Sequence, residues 1–385
     1  MSCSGNKDPF IEQFTKTKSC GRWQGLPAKG DNKNVKTLRL SVDPFHLETA
    51  EARAAIGQAA AVLRAGRLVA LPTETVYGLG ANALDAAAVA RIFAAKQRPA
   101  WDPVIVHIAS ETMLEELTTE IPDTARKLIA AFWPGPLTLL LPRTAKVPDA
   151  VTAGRPLVGV RMPAHPVAFE LINQAGVPVA APSANTFGHI SPTTAAHVLQ
   201  DLDGRIDVVL DAGPTEHGVE STVLDPCSSP MVIYRPGAVT TVQIRDTAGP
   251  VEVYRCAAPA LQTLREGLPS PGVGLRHYAP IAKLVLVEAP LADLGGHLAA
   301  AASGFLGERI GLMLPAGIAA PVSGAAVFAW GSWSDPVGLA RDLYAGLRAL
   351  DTQGCTVILC PLPPTEGIGA AIRDRLRKAA RSGAE

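Results

Sequence analysis

Two tripeptides of this sequence contain the cations and hydrogen-bond donors that bind phosphate groups. They are Lys96-Gln97-Arg98 and Ser183-Ala184-Asn185. Ammonium and guanidinium groups form charge-assisted hydrogen bonds with phosphate oxygens, and hydroxyl groups add neutral ones. Arg235 and Ser191 are further groups of these types. Because the sequence has no G-x-x-x-x-G-K-S/T loop, a nucleoside triphosphate would be bound mainly by separated side chains.

A second group of polar residues has the types that an amino-acid substrate requires. Its carboxylate needs a cation, which Arg161 offers, and a small polar side chain needs hydroxyl partners such as Thr75 and Ser221. His107 is the polar residue in the apolar sequence VIVHI (104–108), and an imidazole is suited to orient or deprotonate an amine. The two groups together indicate chemistry between a nucleotide and an amino acid.

Each of these residues also has an ordinary structural interpretation. Lys96 and Arg98 fall at the predicted C-terminal end of a helix, where cations are common. Ser183 and Asn185 lie beside a proline and are typical turn formers. A histidine in an apolar strand, such as His107, is more often a hydrogen-bonded core residue than a catalyst. The functional interpretation is favoured because the structural ones would all have to hold at once.

Alternating strand and helix patterns place these residues at the ends of buried elements. Asp85 is suited to cap the helix that carries Lys96. Pro99 ends that helix and favours an extended backbone at Arg98, which would let Lys96 and Arg98 converge on one anion. Several predicted strands run directly into a polar cluster, as in a sheet that gathers a site from distant parts of the chain. The mixed spacing favours an α/β domain with a twisted, partly antiparallel sheet. Strands are predicted at 67–71, 104–108, 137–141, 157–161, 177–181, 207–211, 221–224 and 231–234, and further helices at 50–65, 166–175 and 194–202.

The sequence after residue 281 predicts a smaller Rossmann-like domain with a parallel sheet. Asp335 followed by Pro336 is a clear start of a helix. The domain has no G-x-G-x-x-G sequence, and we expect it to serve in docking or regulation. The complete division is a mobile N-terminal tail (1–45), a main α/β domain (46–250), a linker or lid (251–281) and the C-terminal domain (282–385).

Composition limits the classes of protein that remain. The chain has 385 residues, enough for two domains with separate cores, and 48% of them are apolar. It has 35 basic and 35 acidic residues, so a basic groove for nucleic acid would have to be local. The sequence shows neither an apolar run long enough for a membrane helix nor the core of a signal peptide. Six cysteines without C-x-x-C pairs predict a reduced cytoplasmic protein without a zinc site.

The order and spacing of the motifs resemble the nucleotide-binding core of the YrdC-like family, whose signature pairs a Lys-x-Arg with a downstream Ser-x-Asn. The motifs that agree are PTETVYGLG, WPGPLT, VRMPAHP, APSAN, SPT and STVLD. Farther on, PGVGLRHYAP (271–280) resembles the linker of the longer two-domain members, the L-threonylcarbamoyladenylate synthases. The resemblance extends from about residue 49 to the C-terminus. It implies a YrdC-like twisted mixed-sheet domain followed by a smaller Rossmann-like parallel-sheet domain.

The resemblance implies an enzyme that uses ATP as a substrate, with Mg²⁺ accompanying it. In that family, L-threonine, bicarbonate and ATP yield threonylcarbamoyl-AMP and pyrophosphate, and the product serves threonylcarbamoyladenosine modification of tRNA. Threonine would contact Thr75, His107, Arg161, Ser221 and the backbone of Ala181. ATP would contact Lys96, Arg98, Asp102, Ser183, Asn185, Ser191 and Arg235, with His277 or Tyr278 closing from the linker. The residues implied as catalytic are Lys96, Arg98, Ser183 and Asn185.

One position departs from the family pattern. Residue 102 is Asp in RPAWDP, where relatives commonly carry Asn. A carboxylate near phosphates would repel them unless it binds magnesium, so the role of Asp102 is the least defined of the set. The implied partners are downstream tRNA threonylcarbamoyl transferase proteins, with tRNA as a further candidate and no membrane.

Two other functions remain open. A groove formed by Lys96, Arg98, Arg161 and Arg235 would also attract a phosphodiester backbone, as in a non-catalytic RNA-binding module. The lack of interleaved surface aromatic residues counts against this alternative. A carbamoyl-adenylate domain that serves another acceptor, as in hydrogenase maturation, normally has cysteine pairs, which this sequence lacks.

Overall fold

Two β-sheets organise the chain. The computed structural model describes residues 36–254, residue 270 and residues 277–381. The strands of the larger sheet are β1 (Leu38–Ser41), β2 (Val69–Leu71), β3 (Gly78–Asn82), β4 (Val106–His107), β5 (Leu137–Pro142), β6 (Leu157–Arg161), β7 (Val179–Ala180), β8 (Val208–Asp211), β9 (Thr222–Asp225), β10 (Met231–Arg235) and β11 (Val251–Val253). Their spatial order is β1-β8-β2-β3-β7-β4-β6-β5-β9-β10-β11.

Helices cover both faces of this sheet. They are α1 (Ala50–Arg64), α2 (Ala86–Lys96), α3 (Glu111–Leu117), α4 (Asp123–Phe132), α5 (Asp149–Thr152), α6 (Pro166–Ala175), α7 (Ala195–Leu202) and α8 (Thr241–Ala248). In β2, Val69 and Leu71 pack with α1 and α6, whereas Ala70 packs in the cluster that includes α2, α4 and α7. Successive strand residues point to opposite sides, so a sheet buried on both faces has continuous apolar strands.

The sheet mixes parallel and antiparallel pairs, as predicted, and its centre brings the polar clusters together. Strand β4 runs parallel to β6, with His107 opposite Arg161, and antiparallel to β7. Strand β5 runs parallel to β9, which begins directly after Ser221. An isolated bridge joins Gly78 to Ser183. Residues that are far apart in the sequence therefore meet where these strands end.

Helix α2 has the predicted N-terminal cap, but a residue other than Pro99 sets its C-terminal end. The Asp85 side chain accepts hydrogen bonds from two backbone N–H groups of the first turn, at 2.9 and 3.2 Å. Gln97 terminates the helix before Pro99 is reached, because its φ of 55° is left-handed. The expected convergence of Lys96 and Arg98 on one anion does not occur, since the two cations bind different groups of the protein.

The C-terminal domain has the Rossmann-like parallel sheet that the sequence predicts. Its strands are β12 (Lys283–Val287), β13 (Ile310–Pro315), β14 (Ala326–Gly331) and β15 (Val357–Pro361), and its helices are α9 (Leu294–Ser303), α10 (Pro336–Thr352) and α11 (Gly369–Ala379). The order is β12-β15-β13-β14, and all three pairs are parallel. Asp335 caps α10 by accepting a hydrogen bond from the N–H of Gly338 at 3.0 Å, which confirms the predicted helix start.

An apolar cluster crosses from the main domain into the C-terminal domain. It contains Val76 and Val219 together with Leu343 of α10 and Leu376 of α11. Beside it, Gly218 approaches α10 so closely that an added Cβ would overlap the backbone of that helix. The two domains therefore share a packed boundary along α10 and α11.

The structure differs from the sequence predictions in three places. Leu38–Ser41 lies within the predicted tail (1–45) but forms β1, an edge strand paired in parallel with β8. Gly78–Asn82 forms β3, although two glycines reduce its strand propensity. The predicted strand at 104–108 contains only the two residues of β4.

The predicted linker (251–281) is described only in part. Val251–Val253 forms β11, which pairs in parallel with β10. Residues 255–269 and 271–276 of the predicted linker or lid lie outside the described residues. Among the helices that the structure describes, none has both the length and the apolar character needed to cross a membrane.

Replacing Gly218 with alanine should lower the stability of the protein more than the same replacement at Gly213. Both glycines have positive φ values, 69° and 84°, so each alanine incurs a backbone penalty of about 1–2 kcal/mol. A Cβ at position 213 would meet nothing within 4 Å, whereas one at position 218 would overlap α10. Thermal unfolding of the two variants measures the difference. Equal losses would contradict close packing of α10 on this loop.

Candidate active site

A pocket lies at the centre of the larger sheet, where the strand ends meet. Its walls come from the loop after β2, the ends of β4, β6 and β10, the turn after β7, the residues before β9 and the start of the segment at residue 277. The lining residues are Thr73, Thr75, Val76, Gly78, Arg98, Val104, Ile105, His107, Arg161, Ala181, Pro182, Ser183, Glu220, Ser221, Arg235, His277 and Tyr278.

Lys96 joins the two tripeptide motifs. Its side chain is buried, and Nζ donates hydrogen bonds to the backbone carbonyls of Ser183 and Asn185. Burial, and then the positive charge of Arg98, holds the pKa of Lys96 well below its usual value. Lys96 does not line the pocket. It fixes the turn that carries Ser183, which does.

Arg98 lines the pocket and is held from behind by Asp102. A guanidinium nitrogen lies 2.9 Å from the Asp102 carboxylate, and the same group donates to the carbonyls of Asp102 and Pro103 at 3.2 and 2.7 Å. Burial raises the pKa of Asp102, and the charge of Arg98 opposes this shift. Asp102 is fully buried and does not line the pocket. Its carboxylate therefore faces Arg98 within the protein.

Two residues at the start of the segment that leads to the C-terminal domain complete the wall. The ring of His277 packs edge-on against Phe187, with the centroids 5.2 Å apart. Tyr278 stacks on Tyr344 of α10 at 5.9 Å and lies under the guanidinium of Arg375 at 5.3 Å. These contacts hold Tyr278 at φ 64°, an uncommon conformation for a residue other than glycine. Burial lowers the pKa of His277 to about 3, so its ring is neutral.

Arg161 is neutralised by a buried carboxylate. Its guanidinium lies 2.6 Å from Glu74 and donates to the Thr75 hydroxyl at 3.0 Å and to the Gly135 carbonyl at 3.1 Å. Burial alone would raise the pKa of Glu74, but Arg161 outweighs it and holds the pKa below its usual value. The hydroxyl of Thr75 also lies 2.8 Å from that of Thr73. These contacts arrange a small polar wall of defined geometry.

Arg235, the last residue of β10, lines the pocket. Its Nε donates to the Ser221 carbonyl and its terminal nitrogen to the Ser221 hydroxyl, both at 3.0 Å. The Ser221 hydroxyl lies 2.8 Å from that of Thr138. Among the described residues, the hydrogen-bond acceptors of Arg235 are thus neutral oxygens. Its positive charge is available to an anionic ligand.

His107 is a buried, neutral imidazole. Burial, and then the charge of Arg161, lowers its pKa to about 3. Its Nδ1 has no hydrogen-bond partner among the described residues. Since most buried polar atoms are paired, an unpaired nitrogen that lines a pocket is suited to meet a ligand.

Most of the predicted site residues come together in this pocket. Those that line it are Thr75, Arg98, His107, Arg161, Ala181, Ser183, Ser221, Arg235, His277 and Tyr278. Those that lie behind the wall are Lys96, Asp102, Asn185 and Ser191. Asn185 donates from Nδ2 to the carbonyls of Thr186 and His189 at 2.8 and 2.9 Å, as a turn former does.

Sequence reasoning missed Glu220 and Glu74. Glu220 lines the pocket, and Ser191 donates to its carboxylate at 2.6 Å. Glu74 lies inside the PTETVYGLG motif, and Glu220 immediately precedes the STVLD motif. Each buried arginine requires a counter-charge, and this requirement was the signal that could have identified them.

Two sequence models of protein families match the chain. The model of the Sua5/YciO/YrdC family, described as telomere recombination, matches residues 61–237. A second model, described as the threonylcarbamoyl-AMP synthase C-terminal domain, matches residues 239–381. The chain therefore belongs to the Sua5/YciO/YrdC family. The second match gives it the two-domain form found in threonylcarbamoyl-AMP synthases.

Similar proteins match over nearly their whole length. The chain is 43% identical to the threonylcarbamoyl-AMP synthase of Bacillus subtilis over 351 residues, which are 90% of this chain and 98% of the relative. Identity to the synthase of Pyrococcus abyssi is also 43%, over 83% of this chain and 92% of the relative. The crystal structure of P. abyssi Sua5 complexed with L-threonine is similar with a TM-score of 0.82 and 41% identity, covering 89% of this chain and 98% of that one.

Two histidines that line the pocket should make the protein less stable in mild acid. His107 and His277 have pKa values of about 3 in the folded state, against 6.5 when exposed. The unfolded chain therefore binds more protons below pH 6.5, and stability falls as the pH drops from 6.5 toward 3. Each histidine contributes a slope of up to about 1.4 kcal/mol per pH unit.

Chemical unfolding between pH 8 and pH 5 measures this slope. The slope should steepen below pH 6.5, and His107→Gln should lower it by up to about 1.4 kcal/mol per pH unit, the contribution of one proton. An unchanged slope in this variant would mean that His107 is protonated in the folded protein.

Proposed function

We propose that this protein condenses L-threonine, bicarbonate and ATP into threonylcarbamoyl-AMP and pyrophosphate. The observation that carries the proposal is one pocket in which two arginines, Arg98 and Arg235, face a small polar wall formed by Thr75, Arg161 and Ser221. The identity to named threonylcarbamoyl-AMP synthases over both domains supports the same reaction.

Threonine fits the polar wall. The carboxylate of an amino acid would accept from Arg161, which Glu74 and Thr75 hold in place. The threonine hydroxyl would meet the Ser221 hydroxyl or the backbone of Ala181. The unpaired Nδ1 of His107, on a neutral ring, can accept a hydrogen bond from the amine.

ATP would occupy the cationic side of the pocket. Arg98 and Arg235 would bind phosphate oxygens, Ser183 would add a neutral donor, and His277 would pack against the nucleotide. Asn185 and Lys96 would act through the turn that they stabilise.

Magnesium would enter with the triphosphate. The described residues contain no group of three or more potential metal ligands, and Mg²⁺ commonly binds nucleotides through phosphates and water with few protein ligands. Bound in this way, it would neutralise the negative charge of the phosphates. Asp102 is engaged by Arg98 and does not provide a free carboxylate.

The chemistry has two steps. The ammonium group of threonine first loses a proton, and the resulting amine combines with bicarbonate to form a carbamate, with loss of water. A carbamate oxygen then attacks the α-phosphorus of ATP, the bond to the β-phosphate oxygen breaks, and pyrophosphate leaves. The arginines would stabilise the charge that develops on the phosphates, and the pocket walls would shield the reactive threonylcarbamoyl-AMP from water. A downstream tRNA threonylcarbamoyl transferase would consume that product in the cytoplasm.

Pyrophosphate should be released only when threonine and bicarbonate are both present. Serine lacks the methyl group that threonine would pack in the pocket, so it should react more slowly, by roughly tenfold or more. Product release is measured from ATP with each amino acid, with bicarbonate added or removed. Equal turnover with serine would contradict the threonine assignment. Tight RNA binding without turnover would favour the RNA-binding alternative.

Arg98→Ala and Ser183→Ala should each weaken ATP binding while the fold is retained. The loss for a hydrogen bond to a charged group is roughly 1.5–3 kcal/mol, and the arginine variant should show the larger effect. Calorimetry with ATP measures it. Arg53→Ala, on the exposed face of α1, is the control that should bind ATP as the wild type does. If both site variants bind ATP as tightly as the wild type does, Arg98 and Ser183 have only a structural role.

A further inference from the structure

Glu220 is a carboxylate in the pocket wall that receives hydrogen bonds from two domains. Ser191 of the main domain donates to one oxygen at 2.6 Å. Arg375 of α11 donates from Nε to the other at 2.7 Å, and the Tyr344 hydroxyl of α10 reaches the same oxygen at 3.0 Å. Glu220 lines the pocket and immediately precedes Ser221. Glu220 therefore links the C-terminal domain directly to the wall of the pocket.

The contact is a fully desolvated ion pair. Arg375 is 1% exposed and Glu220 is 6% exposed. Burial alone would raise the pKa of Glu220, but Arg375 and then Arg235 lower it to about 2. Arg375 is also paired with Asp374 at 2.7 Å and covers the ring of Tyr278. The carboxylate thus accepts hydrogen bonds from Ser191, Tyr344 and Arg375, and the charges of two arginines act on it.

Adhesion between the domains does not require this ion pair. Apolar residues of similar volume often stabilise a buried boundary as well as, or better than, a buried salt bridge. The boundary already contains the apolar cluster with Val76, Val219 and Leu343. A second ion pair, between Arg348 and Asp201 at 3.0 Å, also joins the domains outside the pocket lining. The particular position of Arg375, behind a pocket residue, therefore needs an explanation other than docking.

The hydrogen bond from Ser191 supplies that explanation. A hydroxyl has one hydrogen, and that of Ser191 is directed to Glu220. Ser191 does not line the pocket, so its hydroxyl acts on the site by holding the Glu220 carboxylate from the main-domain side. The position of Glu220 also sets the backbone of Ser221, to which Arg235 is bonded.

We propose that Arg375 is a positioning residue for the nucleotide site, acting with Tyr344 to hold the Glu220 carboxylate so that the adjacent Ser221–Arg235 pair has the orientation that ATP requires. The C-terminal domain completes the active site in this way, although none of its described residues lines the pocket. This inference rests on the proposed function and adds to it the part of the protein that sets nucleotide affinity.

The decisive comparison is between Arg375→Met and Arg373→Met in the full-length chain. Both residues lie on α11 and both form an ion pair, but that of Arg373 is with Glu288 at the surface of the C-terminal domain. Arg375→Met should raise KM for ATP roughly tenfold to a hundredfold, the range for a hydrogen bond to a charged group, and change kcat and KM for threonine less. Arg375→Lys should recover part of the loss. Arg373→Met should keep wild-type values.

A second variant covers the case in which Arg375→Met does not fold. Tyr344→Phe removes one hydroxyl and keeps the ring that stacks on Tyr278. It should raise KM for ATP by roughly threefold to tenfold, the range for a neutral donor. ATP affinity measured by calorimetry should change in parallel in every folded variant.

The outcomes separate the inference from the proposed function. A wild-type protein that releases no pyrophosphate with threonine and bicarbonate would refute the function. An active wild type, with Tyr344→Phe and any folded Arg375→Met binding ATP normally, would refute the positioning role. Equal losses in Arg373→Met and Arg375→Met would refute it as well, since they would reflect the stability of the domain alone.

Discussion

The organisation of the site depends on one buried ammonium group. Lys96 has lost its hydration, and a desolvated ammonium must find acceptors within the protein. It finds them in the carbonyls of Ser183 and Asn185, so the end of α2 and the turn after β7 cannot move independently. Arg98, two residues further on, is thereby kept at the pocket wall opposite Ser183. The signature tripeptides belong together because a single side chain binds one to the other.

The buried arginines around the pocket follow one pattern. Three of them are each paired with a carboxylate, and the fourth is not. Arg98 is paired with Asp102, Arg161 with Glu74 and Arg375 with Glu220. Pairing fixes the direction of a guanidinium and lowers the electrostatic cost of burying it. Arg235 is bonded to neutral oxygens of Ser221, so it carries the excess positive charge of the pocket. A polyanionic ligand would be drawn to this side.

The sequence predicted the architecture well where periodicity and caps coincide, as in α6 and α10, because local signals and burial agree there. It missed β3, whose glycines carry no strand signal, and β1, whose stability comes from pairing with β8. It named most of the residues that line the pocket. It could not show that Ser191 lies behind Glu220 or that Tyr344 reaches the site, because both depend on contacts between distant segments.

The strand order has a consequence for how the protein is made. The edge strand β1 pairs with β8, about 170 positions later, and central strands such as β3 and β7 also pair across long, though shorter, stretches of the sequence. Topologies with such long-range pairs fold slowly, because a large loop must close before the contacts that reward it can form. The emerging chain can build α1 and α2 early, but the pocket cannot close until β10 has left the ribosome. The last partner of Glu220 is on α11, so an interrupted polypeptide would contain every signature motif and still lack the arginine that holds this carboxylate of the pocket wall.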